Sequence, residues 1–198
     1  MARRSEHTQE ELKNIAIQAG YELIEERGFQ NFSARAVAAK MGYTVGTLYH
    51  LFGDLDTFIL HINARTLDEW YDVEVKGIPK RADQRARYFS HSYLEYAQAH
   101  YNRWSALFEH RMTDDGPVPA WYAPKMLRMF ALISEAVLPH VGNDAKKADR
   151  LAKLMWASVH GIATLSLQGK LDQVQANSAE RMIDDLVDLA IGSGKTTR

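Results

Sequence analysis

The stretch Ser33 to Phe52, SARAVAAKMGYTVGTLYHLF, constrains this chain more than any other. Ser33 is an N-cap candidate for a short helix through Lys40, with Val37, Ala38 and Met41 on its inner side. Gly42 permits a sharp turn, and Thr44 can cap a following helix, VGTLYHLF, in which Leu48 and Phe52 lie four apart on one face. Two short helices about a glycine-containing turn form the helix-turn-helix pattern; the competing description is any small helical hairpin.

The composition of the second helix separates the two. Val45, Gly46, Thr47, Tyr49 and His50 give its outer face small, hydroxyl and aromatic-polar groups, where a merely solvated helix carries Glu and Lys. Small residues let a helix backbone approach base edges, and hydroxyl or imidazole groups reach phosphates, so a DNA duplex is the expected partner. Charge argues the other way. Through residue 53, Arg3, Arg4, Lys13, Arg27, Arg35 and Lys40 are matched by Glu6, Glu10, Glu11, Glu22, Glu25 and Glu26. The whole chain has a formal charge of −1. A binder dominated by phosphate neutralisation is more basic than this. The burden therefore falls on Thr44, Thr47 and Tyr49, with Arg3 and Arg4 of the polar N-terminal arm as further cations.

Before this stretch, Leu12, Ile15, Ala16, Ala19, Leu23 and Ile24 recur with helical period from Thr8 to Arg27. Thr8 with Glu11 has capping-box spacing, and Gly28 stands where a C-terminal glycine belongs. After it, residues 54–75 form a long helix opened by Asp54 and closed by Gly77 and Pro79. At about 1.5 Å per residue it spans about 30 Å, enough to act as a lever between a head and a body. Further helices are expected over 81–102, continuing through 103–112, then from Pro119–Pro124 to Pro139, from Asn143 to Gly169, and over 179–191.

The fold class is thus all-α: a head over residues 1–53 and a larger helical body over 54–198. Aromatics on several body helices can line an apolar ligand cavity or simply fill a core. Tyr71, Tyr93, Tyr96, Trp104, Phe108, Trp121, Met126 and Phe130 are the candidates for such a cavity, whose ligand would be small and apolar or aromatic. His91 and Glu95, four apart, invite a metal reading, but no HExxH and no Glu-x-x-His occurs, and no metal or cofactor is expected. Cysteine is absent, which excludes disulfides and thiolate chemistry. No nucleotide loop or nucleophile elbow appears, and the tail around Gly194, Lys195 and Thr196 is expected to be disordered. With no signal-like or membrane-length apolar run, the default address is the cytoplasm.

Residues 28–60, GFQNFSARAVAAKMGYTVGTLYHLFGDLDTFIL, resemble the DNA-binding segment of the TetR family of transcriptional repressors. The matched positions are Gly28, Phe29, Val37, Ala38, Gly42, Tyr43, Thr44, Gly46, Thr47, Leu48, Tyr49 and Phe52. The resemblance implies a phosphate contact from Tyr49, base contacts from the residues around Thr44 to Thr47, and a backbone contact from Arg35. Leu55 and Asp56 stand where the family usually has Lys-Glu, which implies weaker or more salt-sensitive binding, or a compensating contact from His50, Arg3 or Arg4.

Trp156, His160 and Gly161 resemble the Trp-His-Gly signature of one class of C-terminal domains in that family. The resemblance further implies a homodimer built on the last two long helices, with Leu154, Ser158, Gly161, Leu165, Ile183 and Leu186 at its interface. Two heads would then meet half-sites about 34 to 36 Å apart on a palindromic operator. A ligand-released repressor is the leading reading, and a helical small-molecule binder that no longer touches DNA is the alternative.

Overall fold

The computed structural model describes residues 7–113 and 118–192; the arginines of the arm, the middle of the loop after Met112 and the tail lie outside them. All regular structure among the described residues is helical: α1 Gln9–Arg27, α2 Ala34–Met41, α3 Val45–Phe52, α4 Leu55–Gly77, α5 Ala82–Ala99, α6 Tyr101–Glu109, α7 Ala123–Val137, α8 Ala145–Leu167, α9 Lys170–Gln173 and α10 Ala179–Gly192. Short 3-10 turns cover Phe29–Asn31 and Leu138–Val141.

The chain folds into two compact units that do not follow its linear order. One takes the residues up to Asp68 together with His100–Tyr122, and the other takes Glu69–Ala99 together with the residues from Ala123 onward. The first unit therefore holds α6 as well as the helix-turn-helix head. The continuous helix expected through residue 102 breaks at His100, whose φ of −130° and ψ of 42° end α5 and start α6.

In the first unit, α1 starts as a capping box: Thr8 Oγ1 accepts from the Glu11 amide at 3.2 Å, and Glu11 Oε2 accepts from the Thr8 amide at 2.7 Å. Ala16, Leu23 and Ile24 of α1, Val37 and Ala38 of α2, and Leu48, Leu51 and Phe52 of α3 close one core with Phe58 and Ile62 of α4 and Ala106 of α6. Gly20 matters here, because a Cβ at this position would run into the Ile62 side chain. α6 is tied down by long-range polar contacts. Asn102 Nδ2 donates to the Glu25 carbonyl at 2.8 Å, and Arg103 Nε donates to Glu25 Oε2 at 2.7 Å. Arg65 and Arg103 sit over the Tyr21 ring at 4.2 and 4.8 Å from its centroid.

In the second unit, α8 buries Ala148, Ala152, Met155, Val159 and Ala163, and α10 buries Ala179, Ile183 and Val187. Both sets keep to steps of three or four, the buried stripe of a helix. On α8 Leu165 is exposed while Ala163 is fully buried, the small alanines of the stripe allowing close packing of neighbouring helices. Asp144 caps α8 through the amides of Lys146 and Lys147 at 3.0 and 3.1 Å.

Candidate nucleic-acid interface

The turn between α2 and α3 is set by Gly42, which ends α2 in the left-handed conformation with φ 75° and ψ 24°. Ser33 Oγ caps α2 by accepting from the Ala36 amide at 3.2 Å. Thr44 occupies the N-cap position of α3 in extended conformation, but its side chain makes no capping bond. Its Oγ1 lies instead 3.2 Å from Thr47 Oγ1. One hydroxyl of such a pair donates to the other, so a proton and several lone pairs remain for an outside partner.

Because Leu48, Leu51 and Phe52 anchor α3 in the core, helical period forces the intervening residues outward. Gly46 and His50 are exposed, Val45 and Thr47 are half-buried, and Tyr49 keeps 46% of its surface. Tyr43, at 36%, joins them from the turn. Sequence reasoning gave Tyr43 no role of its own, although an aromatic residue in a turn beside a glycine was the available signal. Arg35 is exposed on α2 and has no carboxylate partner among the described residues.

Lys40 differs: its Nζ lies 2.9 Å from both Glu22 Oε2 and Glu26 Oε1. The hydrogen bonds it donates to those carboxylates hold the ammonium above the ordinary lysine range. It is committed within the head.

The two residues that depart from the resemblance are also accounted for. Leu55 packs against the core of the head, so an apolar side chain at that position is used for packing. Asp54 Oδ1 accepts from the Thr57 amide at 2.6 Å, capping α4. Asp56 accepts from the Thr113 amide at 2.8 Å and pairs with His110 Nε2 at 2.9 Å. Those partners draw its carboxyl down to about 2. Both carboxylates are therefore occupied by the protein itself.

The candidate ligand residues do not form one group. Trp104, Phe108 and Trp121 belong to the first unit, where Trp104 is buried and Trp121 stacks on His61 at 4.3 Å. Tyr71, Tyr93, Tyr96, Met126 and Phe130 belong to the second. There the Tyr93 hydroxyl lies 2.7 Å from His160 Nδ1, the Trp156 ring stacks on His160 at 5.8 Å, and Phe130 meets Trp156 edge to face. Burial pushes the His160 imidazole below its ordinary value. Tyr71 lies under Arg128, whose guanidinium carbon is 4.1 Å from the ring centroid. Met126 is half-buried on α7. A cavity of about 20 Å³ lined by Phe89, Tyr93, Ile133, Met155 and Trp156 has room for no more than one water. In this conformation Tyr93 is buried and Tyr71, Tyr96 and Phe130 are half-buried, while Phe108 and Trp121 of the first unit are exposed.

Of the candidate interface residues, Leu154 and Leu165 keep 62% and 44% of their surface, while Ser158, Gly161 and Leu186 are half-buried. A Cβ at Gly161 would meet nothing within 4 Å. Ile183 must be corrected: it is fully buried in its own unit and offers no surface to a second copy. Leu189 on the same helix is 75% exposed. No group of residues able to hold a metal ion occurs among the described residues.

Two short helices about a left-handed glycine, the second turning small and hydroxyl side chains outward, have the geometry of a helix-turn-helix that can enter a DNA groove. Comparison with known proteins agrees. Residues 16–61 match the sequence model of bacterial regulatory proteins of the tetR family, and residues 86–189, more than half of the chain, match that of the tetracyclin repressor-like C-terminal domain. The chain belongs to the tetR family of transcriptional regulators, proteins of the DNA-binding repressor class.

It is 23% identical over 182 residues to Rv0681 of Mycobacterium tuberculosis, an uncharacterized HTH-type transcriptional regulator, covering 91% of this chain and 81% of that one. Its fold resembles a TetR transcriptional regulator from Rhodococcus sp. RHA1, with a TM-score of 0.64 at 16% identity over 93% of this chain and 98% of that one. It also resembles RolR, solved in complex with the ligand resorcinol, with a TM-score of 0.61 at 16% identity over 92% and 94% of the two chains. Among the described residues no helix is long and apolar enough to cross a membrane.

Proposed function

We propose that the chain is a ligand-responsive repressor that binds a palindromic operator as a homodimer and leaves it when a small apolar or aromatic effector binds. DNA reading is placed in residues 1–53, and ligand binding and dimerisation in 54–198. The outer face of α3 carries this reading. Thr47, Tyr49 and His50 stand out from a helix locked by Leu48, Leu51 and Phe52, with Thr44 at its start and Arg35 exposed on α2. Base contacts fall to Thr44 through Thr47, and phosphate contacts to Tyr49 and Arg35.

Leu154, Ser158, Gly161 and Leu165 succeed one another at steps of four, three and four on α8, a continuous face of large and small residues suited to a second copy. Leu189 is a further exposed apolar residue, on α10. The aromatic cluster of the second unit supports an effector of the stated class, as does the resorcinol complex of RolR. Because the cluster is closed, the effector must displace side chains to enter, and it shifts the protein toward a non-binding dimer by its differential affinity for the two states. α4 contributes residues to both units and is the covalent route for that coupling.

Binding-site selection on random DNA, followed by gel shift with random competitor, tests the reading. A two-fold symmetric site should emerge, and Tyr49→Ala with Thr47→Ala should abolish the shift. Failure to select any sequence would leave a helical small-molecule binder. An effector that binds without changing operator affinity at fixed salt would overturn the coupling.

A further inference from the structure

Within the second unit, the seam between α4 and α5 brings together a buried carboxylate and several aromatic rings. Glu74 is 3% exposed, although carboxylates are seldom enclosed without a cationic partner. Its two oxygens are held by neutral donors: Trp70 Nε1 donates to Oε1 at 3.0 Å, and Ser92 Oγ donates to Oε2 at 2.9 Å. Burial pushes the carboxyl above the ordinary range, and the nearby Glu95 pushes it further. Glu95 stands three residues beyond Ser92 on the same face of α5 and is exposed, which marks the open end of the seam. Among the described residues neither Glu74 nor Glu95 forms an ion pair, while Asp184, Asp188 and Glu25 each have an arginine.

The rings complete the arrangement. Trp70 is stacked on Tyr96 with centroids 4.3 Å apart and planes 3° from parallel, and Tyr93 is tilted against Trp70 at 5.2 Å. The stacked faces of Trp70 and Tyr96 cover each other, so an incoming group must part them, and aromatic surface opened beside a desolvated carboxylate suits an ammonium group. The Ser92 hydroxyl lies 3.3 Å from the Phe89 carbonyl as well, so its proton can turn to that oxygen and release Glu74 Oε2.

We propose that the α4–α5 seam is a binding site for an organic ammonium cation, with Glu74 as counter-ion, Glu95 at the entrance, and Trp70, Tyr93 and Tyr96 as the walls. As an effector site it rests on the regulatory reading above; as a binding site it does not. The cation supplies the charge that the enclosed carboxylate lacks, and the indole and hydroxyl donors hold that carboxylate in place before the cation arrives.

The test uses the full chain and two probes of equal shape, choline and its neutral isostere 3,3-dimethylbutan-1-ol. The readout is the Trp70 indole N–H resonance, assigned by its loss in Trp70→Phe. Choline should shift this resonance saturably, and the neutral alcohol should need about tenfold more for the same effect. In Glu74→Gln, which keeps the size of the side chain, the preference should shrink to within about twofold, and Glu95→Gln should weaken choline by about two- to threefold. The proposal is overturned if both probes act alike on the native chain, if choline produces no shift at about 100 mM, or if Glu74→Gln keeps the preference. A gel shift with and without choline keeps the two readings apart. Choline binding that leaves operator affinity unchanged supports the site and removes its regulatory use. Release of the operator by some other effector, with no choline binding, sinks the site and leaves the regulator.

Discussion

His110 Nε2 lies 2.9 Å from Asp56 Oδ1, fixing the end of α6 to the first turn of α4 inside one compact unit. The Thr113 amide adds a second donor to the same carboxylate. Held at about 2 when folded against an ordinary value of 3.8, Asp56 binds its proton more weakly folded than unfolded. Its contribution is present above the unfolded value and is lost as pH falls through the folded one. Asp56→Asn should therefore cost about 1–2 kcal/mol at pH 7, discounted for partial exposure, and the difference from the native chain should close between about pH 4 and pH 2 in urea titrations.

Arg35 and Lys40 should part company on DNA. Arg35→Gln should reduce the slope of log affinity against log salt by about one, since it removes a free cation. Lys40→Gln should leave that slope nearly unchanged, because Glu22 and Glu26 already neutralise the ammonium. Fluorescence anisotropy on one selected operator across a salt series measures both.

Tyr49→Phe removes only the hydroxyl from a side chain that is 46% exposed. Operator affinity should fall by about 5- to 20-fold, and by the same factor on one-base variants of the site, as a phosphate contact requires. A loss confined to one base position would make Tyr49 a base reader.

Gly161→Ala has opposite expected effects on the two levels of structure. Inside the protomer a Cβ meets nothing within 4 Å, so helix propensity alone should stabilise α8 by up to about 1 kcal/mol. If a second copy packs on that face, the dimer should dissociate at lower dilution, and Leu165→Glu should give monomers in sedimentation without loss of helicity.

Glu74 sets a pH dependence of the reverse sign to Asp56. Its folded value is raised, so ionising it penalises the folded state, and that penalty grows as pH rises through the folded value. Glu74→Gln should therefore be more stable than the native chain at neutral pH, with the gain disappearing toward pH 4. A loss of stability at pH 7 would mean that the bonds from Trp70 and Ser92 outweigh the desolvation.

Much of the first half of the molecule was legible in the sequence because its signals are local. Thr8 with Glu11, Ser33, Gly42 and Asp54 each act within four residues of their partners, and caps and glycines at such spacing leave a direct mark. The contacts that assign α6 to the head were not legible. Asn102 and Arg103 meet Glu25 across 77 and 78 residues, and no periodicity encodes such a pair. The same holds for Lys40, whose neutralisation depends on residues of another helix 14 and 18 positions away. The aromatics show a different limit. Tyr93 and Trp104 have the same composition signal and lie in different units, because helical period says which face is apolar and not which neighbour covers it.

The commitment of Lys40 to Glu22 and Glu26 bears on how such a head searches a genome. Non-specific attachment to DNA is driven by counterion release, and each cation withheld from it shortens the time spent on wrong sequence. A head that keeps Arg35 and hydroxyls outward while holding Lys40 in ion pairs is expected to give up one-dimensional sliding range and to gain in the ratio of operator to bulk DNA occupancy.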